Sequence, residues 1–277
     1  MRRALLFIIL LAVTLAGYGY WGATRAPVIR DATVGLPDWP VGAPPLRVLL
    51  LSDVHVGAPD MTPERLAGIV AQANALAPDV VLIAGDFISD KNLSTRFYDY
   101  PDALAPLAGL RPRLATLAVL GNHDHWRGAD AARAGLAAVG ITVLDNAAAE
   151  VGPLAIGGVD DPFTGHADLA ATVAAMRRLP GAKLVLSHSP DPFPDLSPDV
   201  TLMLAGHTHC GQVSLPIIGP LKTMSAYGNR YACGRVDEAG KTLFVTAGLG
   251  TSGLPVRIGA PPDMWLLTLG PRPAEAR

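Results

Sequence analysis

The chain has 277 residues, 50% of them hydrophobic and 17% charged, with a formal net charge of −2. That length supports one domain with a substantial core rather than two. The charge balance and the 6% aromatic content give no basis for nucleic-acid binding, and two cysteines exclude a disulfide-dense scaffold or a four-cysteine zinc module.

Met1-Arg2-Arg3 precede a stretch without charge from Ala4 to Thr24, long enough as a helix to match the hydrocarbon core of a bilayer. Tyr18, Tyr20 and Trp21 at its far end suit an interfacial aromatic belt. A buried core helix would show a polar face, and a removed signal peptide would show a better small-x-small site after a shorter run. The expectation is a single-pass transmembrane anchor over 1–24 in the inner (plasma) membrane. Arg2 and Arg3 favour an inside N-terminus and an extracytoplasmic catalytic domain, a bias that Arg25 and Arg30 weaken. Residues 25–45 are proline-rich and read as a linker or an irregular edge segment.

From residue 46 the chain repeats one pattern. Apolar runs at 46–52, 80–85, 114–121, 183–187 and 200–206 end respectively at Asp53-Val54-His55, Asp86, Asn122-His123-Asp124, His188 and His207-Thr208-His209. Runs of this length without alternation read as strands buried on both faces. Helical stretches separate them at 61–78, 128–140 and 166–180, the first with Thr62 as cap and Pro63 at the first helical position. Strand, turn, helix, strand predicts an α/β fold, and α/β sheets place ligands at the carboxyl ends of their strands.

Five of the seven histidines therefore fall in strand-end turns that converge if the strands are neighbours. In extended geometry Asp53 and His55 project to one side, as do His207 and His209. Asp53, His55, Asp86, Asn122, His188, His207 and His209 form a mixed oxygen and nitrogen set suited to Mn, Fe or Zn, with Mn favoured, and seven donors suit two divalent ions sharing a carboxylate. Two such ions clamp a displacement at phosphorus and acidify a shared water into a hydroxide nucleophile. His123, backed by Asp124, is placed to bind phosphoryl oxygens or protonate the leaving oxygen.

The motifs DVH, GD, GNHD, the later His188 and GHTH, in this order, resemble the calcineurin-like metallophosphoesterases over residues 46–270. The resemblance implies a two-sheet β-sandwich flanked by helices in four layers, with a catalytic domain over 46–270 and a tail over 271–277. It implies that Asp53, His55 and His209 hold one metal, Asn122, His188 and His207 the other, with Asp86 bridging and with Asp124 orienting His123 as the substrate-facing acid. The second aspartate often found three residues into the GD motif is here Ser89, so its supporting role falls to Ser89 or Asp90.

The stretches GHTHCGQVSLPIIGP and LFVTAGLGTSGLPVRIGAPPDMWLLTL resemble a membrane-anchored bacterial branch. Some members of that branch cleave the pyrophosphate of UDP-2,3-diacylglucosamine. The expected activity is thus a phosphodiesterase or pyrophosphohydrolase acting on phosphoesters, lipid-linked ones included. A broad phosphomonoesterase is the alternative within the class, and a non-catalytic metal-binding surface domain the alternative outside it. The His123–Asp124 pair argues against the latter, since a structural site needs no positioned proton donor.

Other residues carry weaker signals. His125 reads as an exposed loop residue, His166 as a helix N-terminal residue, and Trp126 equally as cleft rim or packing. Arg257 reads as a structural ion-pair member and the 91–107 loop as a lid or a solvated connection. Cys210 reads as a small residue beyond the ligands, its pairing with Cys233 left open.

Overall fold

The computed structural model describes residues 1–91 and 93–272; the expected tail over 271–277 falls mainly outside the described residues. The fold starts with α1 (Arg2–Thr24), β1 (Val28–Leu36), β2 (Leu46–Leu51), α2 (Pro63–Ala75) and β3 (Val80–Ala84). It continues with α3 (Tyr100–Leu104), β4 (Ala115–Val119), α4 (Asn122–Ala138), β5 (Thr142–Val143), β6 (Ala147–Val151) and β7 (Leu154–Val159). There follow α5 (Leu169–Met176), β8 (Ala182–Ser187), β9 (Leu202–Ala205), the small hairpin β10 (Ser214–Leu215) and β11 (Gly219–Pro220), β12 (Gly234–Glu238), β13 (Lys241–Val245) and β14 (Asp263–Pro271).

Each of the five apolar runs forms a strand, in two stacked sheets. The first has the order β1-β14-β2-β3-β4-β5, the second β12-β13-β9-β8-β7-β6. Strands β2 to β5 run parallel, as do β7, β8, β9 and β13, so the donor-bearing turns of each sheet emerge along one edge. Period-two alternation divides each strand between two cores. Leu49, Leu51, Val81 and Ile83 pack outward against α2, α3 and α4, while Leu50, Leu82, Leu184 and Leu204 meet between the sheets. The second sheet packs its other face on α5 through Val185, Val173 and Met176. The four-layer sandwich is thus built by strands that are apolar on both sides.

Local chemistry sets the helix starts. Thr62 caps α2, its hydroxyl accepting from the Arg65 amide at 3.3 Å, with Pro63 next, as the sequence predicts. The helix expected at 128–140 begins earlier, at Asn122, and kinks at Gly128, whose φ of 110° breaks the helical run.

Part of the segment read as a linker or an irregular edge segment does lie at a sheet edge, but as a regular strand. Residues 28–36 form β1, an edge strand lying parallel to β14 from Val28 beside Asp263 to Leu36 beside Pro271. Its physical reason is long-range: β14 lacks a neighbour on that side until β1 supplies one, and Val34 and Leu36 close the inter-sheet core.

Phe244 on β13 meets Trp265 on β14 edge to face across the sandwich, with ring centroids 4.9 Å apart and Phe244 fully buried. Phe244→Ala should therefore destabilise the detergent-solubilised chain by about 3–5 kcal/mol in urea unfolding. A change below about 1 kcal/mol would mean that the sheets are not held by this contact.

Candidate metal centre

The two sheets bring the strand-end turns together at one buried cluster. Asp53, His55, Asp86, Asn122, His188, His207 and His209 are each at most 6% exposed. Asp86 lies at their centre. Its Oδ2 is 3.4 Å from His55 Nε2 on the first sheet and 3.3 Å from His188 Nε2 on the second. On one side, His209 Nε2 lies 3.4 Å from Asp53 Oδ1 and 3.2 Å from His55 Nε2. On the other, His188 Nε2 lies 3.1 Å from both Asn122 Oδ1 and His207 Nδ1. The donors thus lie on two sides of Asp86, and Asp53 is close enough to Asp86 and His188 to share a cation with them as well as with His55 and His209.

The turn geometry differs from the extended backbone expected for Asp53/His55 and His207/His209. Their φ values are 50°, 47°, 70° and 51°, and Asp86 adds 57°. Non-glycine residues adopt this left-handed region rarely, at about 1–3 kcal/mol each, and such residues cluster at functional sites. Sharp turns, rather than strand alternation, therefore swing these side chains inward. Close approach of the two sheets does the rest. A Cβ at Gly206 would collide with Ser52 Oγ and stand 2.5 Å from Asp53 Oδ2; without one, the His207 amide donates to Asp53 Oδ2 at 3.0 Å.

Surrounding groups orient the donors. The His188 Nδ1–H donates to the Ala84 carbonyl at 2.6 Å, which leaves the Nε2 lone pair facing the cluster. Burial holds the His55 and His209 imidazoles well below their usual range, and burial together with His188 brings His207 to about 4. Burial likewise pushes Asp53 up to about 6. Burial opposes the charge on His188, but Asp86 outweighs it and holds this imidazole well above its usual range. Imidazoles and carboxylates buried together in this way are the donor set that a divalent cation requires, its binding displacing the proton. The residues fit the group.

His123 stands at the rim, its side chain 12% exposed. Asp124 does not orient it. The Asp124 carboxylate instead accepts from the backbone amides of Asp86, Phe87 and Gly121 at 2.8, 3.0 and 3.0 Å, pinning the turn after β3 to the start of α4. The orienting acid is Asp90, whose Oδ1 accepts from His123 Nδ1–H at 2.6 Å. Although burial lowers the His123 pKa, Asp86 and Asp90 outweigh it and hold the imidazole above its usual range.

Several residues depart from their sequence readings. His125 is no exposed loop residue: on α4 it pairs with Asp160 at 2.7 Å and stacks on His166 at 4.0 Å. Arg257 is fully buried and has no ion-pair partner among the described residues; its guanidinium donates to the carbonyls of Ala247, Gly250 and Ala260 and lies 3.2 Å from His209 Nδ1. Cys210 is joined to Cys233 by a disulfide, with Cα atoms 4.7 Å apart. Lys91 and Asp60 form a buried ion pair that the sequence does not signal, in which the Thr251 hydroxyl donates to Asp60 at 2.7 Å. No local motif announces it, since its members stand far apart in the chain. The cluster opens into a cleft of about 610 Å³, floored by Asp86, Asn122, His207 and His209 and walled by Trp126, Phe163, Leu221, Met224, Leu254 and Val256.

Asp90→Ala should lower the His123 pKa, read by NMR titration of the chelator-treated protein, with little loss of thermal stability. Asp124→Ala should destabilise by more than about 3 kcal/mol, since three buried amides lose their acceptor. The reverse pattern would restore Asp124 as the orienting acid.

Comparison with known proteins agrees with this geometry. Residues 46–211 match the calcineurin-like phosphoesterase family. The chain is 32% identical over 278 residues to a transmembrane protein with metallophosphoesterase domain from Danio rerio, covering 94% of this chain and 61% of the relative's length. It is 30% identical to the uncharacterized metallophosphoesterase YkuE of Bacillus subtilis (strain 168), over 91% of this chain and 90% of that protein. It is 29% identical to the phosphodiesterase YaeI of Escherichia coli (strain K12), over 92% and 94%. Among solved structures, the Haemophilus influenzae NAD nucleotidase (NadN) shares the fold, with a TM-score of 0.50 at 18% identity over 75% of this chain and 51% of that one. The chain belongs to the calcineurin-like metallophosphoesterase family and is a metal-dependent phosphoester hydrolase.

Proposed function

We propose that the protein is a membrane-anchored dimetal phosphodiesterase or pyrophosphohydrolase, with residues 1–24 as anchor and 46–270 as catalytic domain. The observation that carries the reading is the placing of donors on two sides of Asp86. In it, Asp53, His55 and His209 hold one divalent ion, Asn122, His188 and His207 the other, and Asp86 bridges them. The bound ions supply Lewis acidity at phosphorus and make water nucleophilic at neutral pH. The chain's own residues do the rest. His123, whose pKa Asp86 and Asp90 raise, faces the phosphoryl oxygens and delivers a proton to the leaving oxygen. Trp126 and Phe163 bound the space in which the ester sits.

Two further points narrow the reading. The cleft walls are largely apolar, which favours an ester carrying a lipid or another apolar group. Disulfides persist in oxidising compartments, so the Cys210–Cys233 bond favours a catalytic domain outside the cytoplasm. That side disfavours a cytoplasmic nucleotide-linked lipid such as UDP-2,3-diacylglucosamine and favours phosphoesters at the outer face of the inner membrane.

The purified chain should hydrolyse bis(p-nitrophenyl) phosphate with Mn²⁺ faster than the corresponding monoester, and chelation should abolish turnover. His123→Ala should lower kcat by about 10²–10⁴-fold, and Asp86→Asn or His188→Ala should abolish activity in a folded protein. Full activity in either of the last two variants would refute the dimetal reading.

A further inference from the structure

The end of α1 is built into the wall of the cleft. The Arg257 amide donates to the Gly19 carbonyl at 2.8 Å, and the Tyr20 hydroxyl donates to the Pro59 carbonyl at 3.2 Å. A Cβ at Gly19 would stand only 2.9 Å from Val256 Cβ. Residues 1–18 are all exposed, whereas Gly19, Gly22 and Ala23 are buried. The bare part of α1 is about 26 Å long, near the roughly 30 Å of a hydrocarbon core. A bilayer surface therefore falls where Tyr18 and Trp21 stand, 53% and 55% exposed, as interfacial aromatics do.

That level fixes which end of the sandwich faces lipid. β1 starts at Val28 beside Asp263, directly after α1, and β2 runs antiparallel to β14. The carboxyl end of β2, with Asp53 beyond it, thus lies at the anchor end, whereas Leu36 and Leu46 lie at the far end, roughly 20–26 Å away. The metal-binding edge therefore lies at the anchor end of the sandwich.

At this edge the β10–β11 hairpin rises from the cleft rim. Its root is tied to the segment that α1 touches, the Ser214 amide donating to the Ile258 carbonyl at 2.8 Å. Its tip carries Ile217 and Ile218, 107% and 65% exposed, and Leu221 and Leu254 beside it are 57% and 52% exposed. Single exposed apolar side chains are ordinary, but four around one cleft mouth, next to a bare apolar helix, form a contact surface. We propose that the hairpin tip, with Leu221 and Leu254, is a second membrane contact seated in the interfacial layer of the bilayer that α1 spans, holding the cleft mouth against the lipid surface. The inference rests on α1 as a membrane-spanning anchor and goes beyond it, since an anchor alone leaves the domain free to tilt away.

The disulfide leaves no free thiol, so one introduced cysteine is labelled alone. The full chain, reconstituted in phosphatidylcholine–phosphatidylglycerol vesicles, is labelled with an environment-sensitive fluorophore at Ile217→Cys or at Val41→Cys, a fully exposed far-end position. The expected result is blue-shifted emission at 217 and protection from an aqueous quencher of at least about threefold over 41. Equal quenching at both positions, in protein that co-floats with the vesicles, would overturn the hairpin contact alone. Protein that fails to co-float would overturn the anchor and the contact with it. Ile217→Asp with Ile218→Asp should leave turnover of soluble bis(p-nitrophenyl) phosphate unchanged while lowering turnover of a vesicle-embedded phosphodiester; equal loss on both would also count against the contact.

Discussion

Two carboxylates and four imidazoles packed out of contact with water lose hydration, and the two carboxylates repel each other; a cation among them offsets both costs. In this chain Asp53, Asp86, His55, His188, His207 and His209 are held in that way, with the Asn122 amide as the seventh donor. The surrounding structure reads as the means of keeping them there. His188 is fixed by the Ala84 carbonyl, the turn at Asp86 by the three amides that meet Asp124, and His207 by its amide on Asp53. Arg257 threads the adjacent loop carbonyls and backs His209. Removing any of these frees a donor to relax away from its neighbours.

Five donors sit in left-handed backbone, an arrangement that only a rigid frame sustains. The frame is the inter-sheet core. Because β2 and β3 come from one sheet and β8 and β9 from the other, the spacing of the sheets sets the distance from Asp86 to His188, while the β2–β3 pairing within the first sheet sets that to His55. Packing between Leu50, Leu82, Leu184 and Leu204 thereby becomes site geometry. Gly206 marks the tightest point, where a side chain would wedge the sheets apart.

The donor residues were legible because each directly follows an apolar run, and parallel strands carry their ends to one edge. Strand alternation is not what aims them: residues two apart face one way here through left-handed turns, not through extended chain. What stayed hidden depends on contacts between distant segments. Asp90 looked like a neighbour of the expected second acid, and only the fold brings it to His123 rather than leaving that task to adjacent Asp124. The Lys91–Asp60 pair, the carbonyl cage around Arg257 and the pairing of β1 with β14 join positions that no local pattern links. His125 looked exposed because its partner, Asp160, belongs to the other sheet's strand end.

The most direct test of the account is the metal content of the folded chain. After reconstitution with excess Mn²⁺ and gel filtration, elemental analysis should find two equivalents per chain, and Asp86→Ala, which removes the shared donor, should lose both. One equivalent in the native chain, or two in the Asp86→Ala variant, would contradict the shared-carboxylate centre.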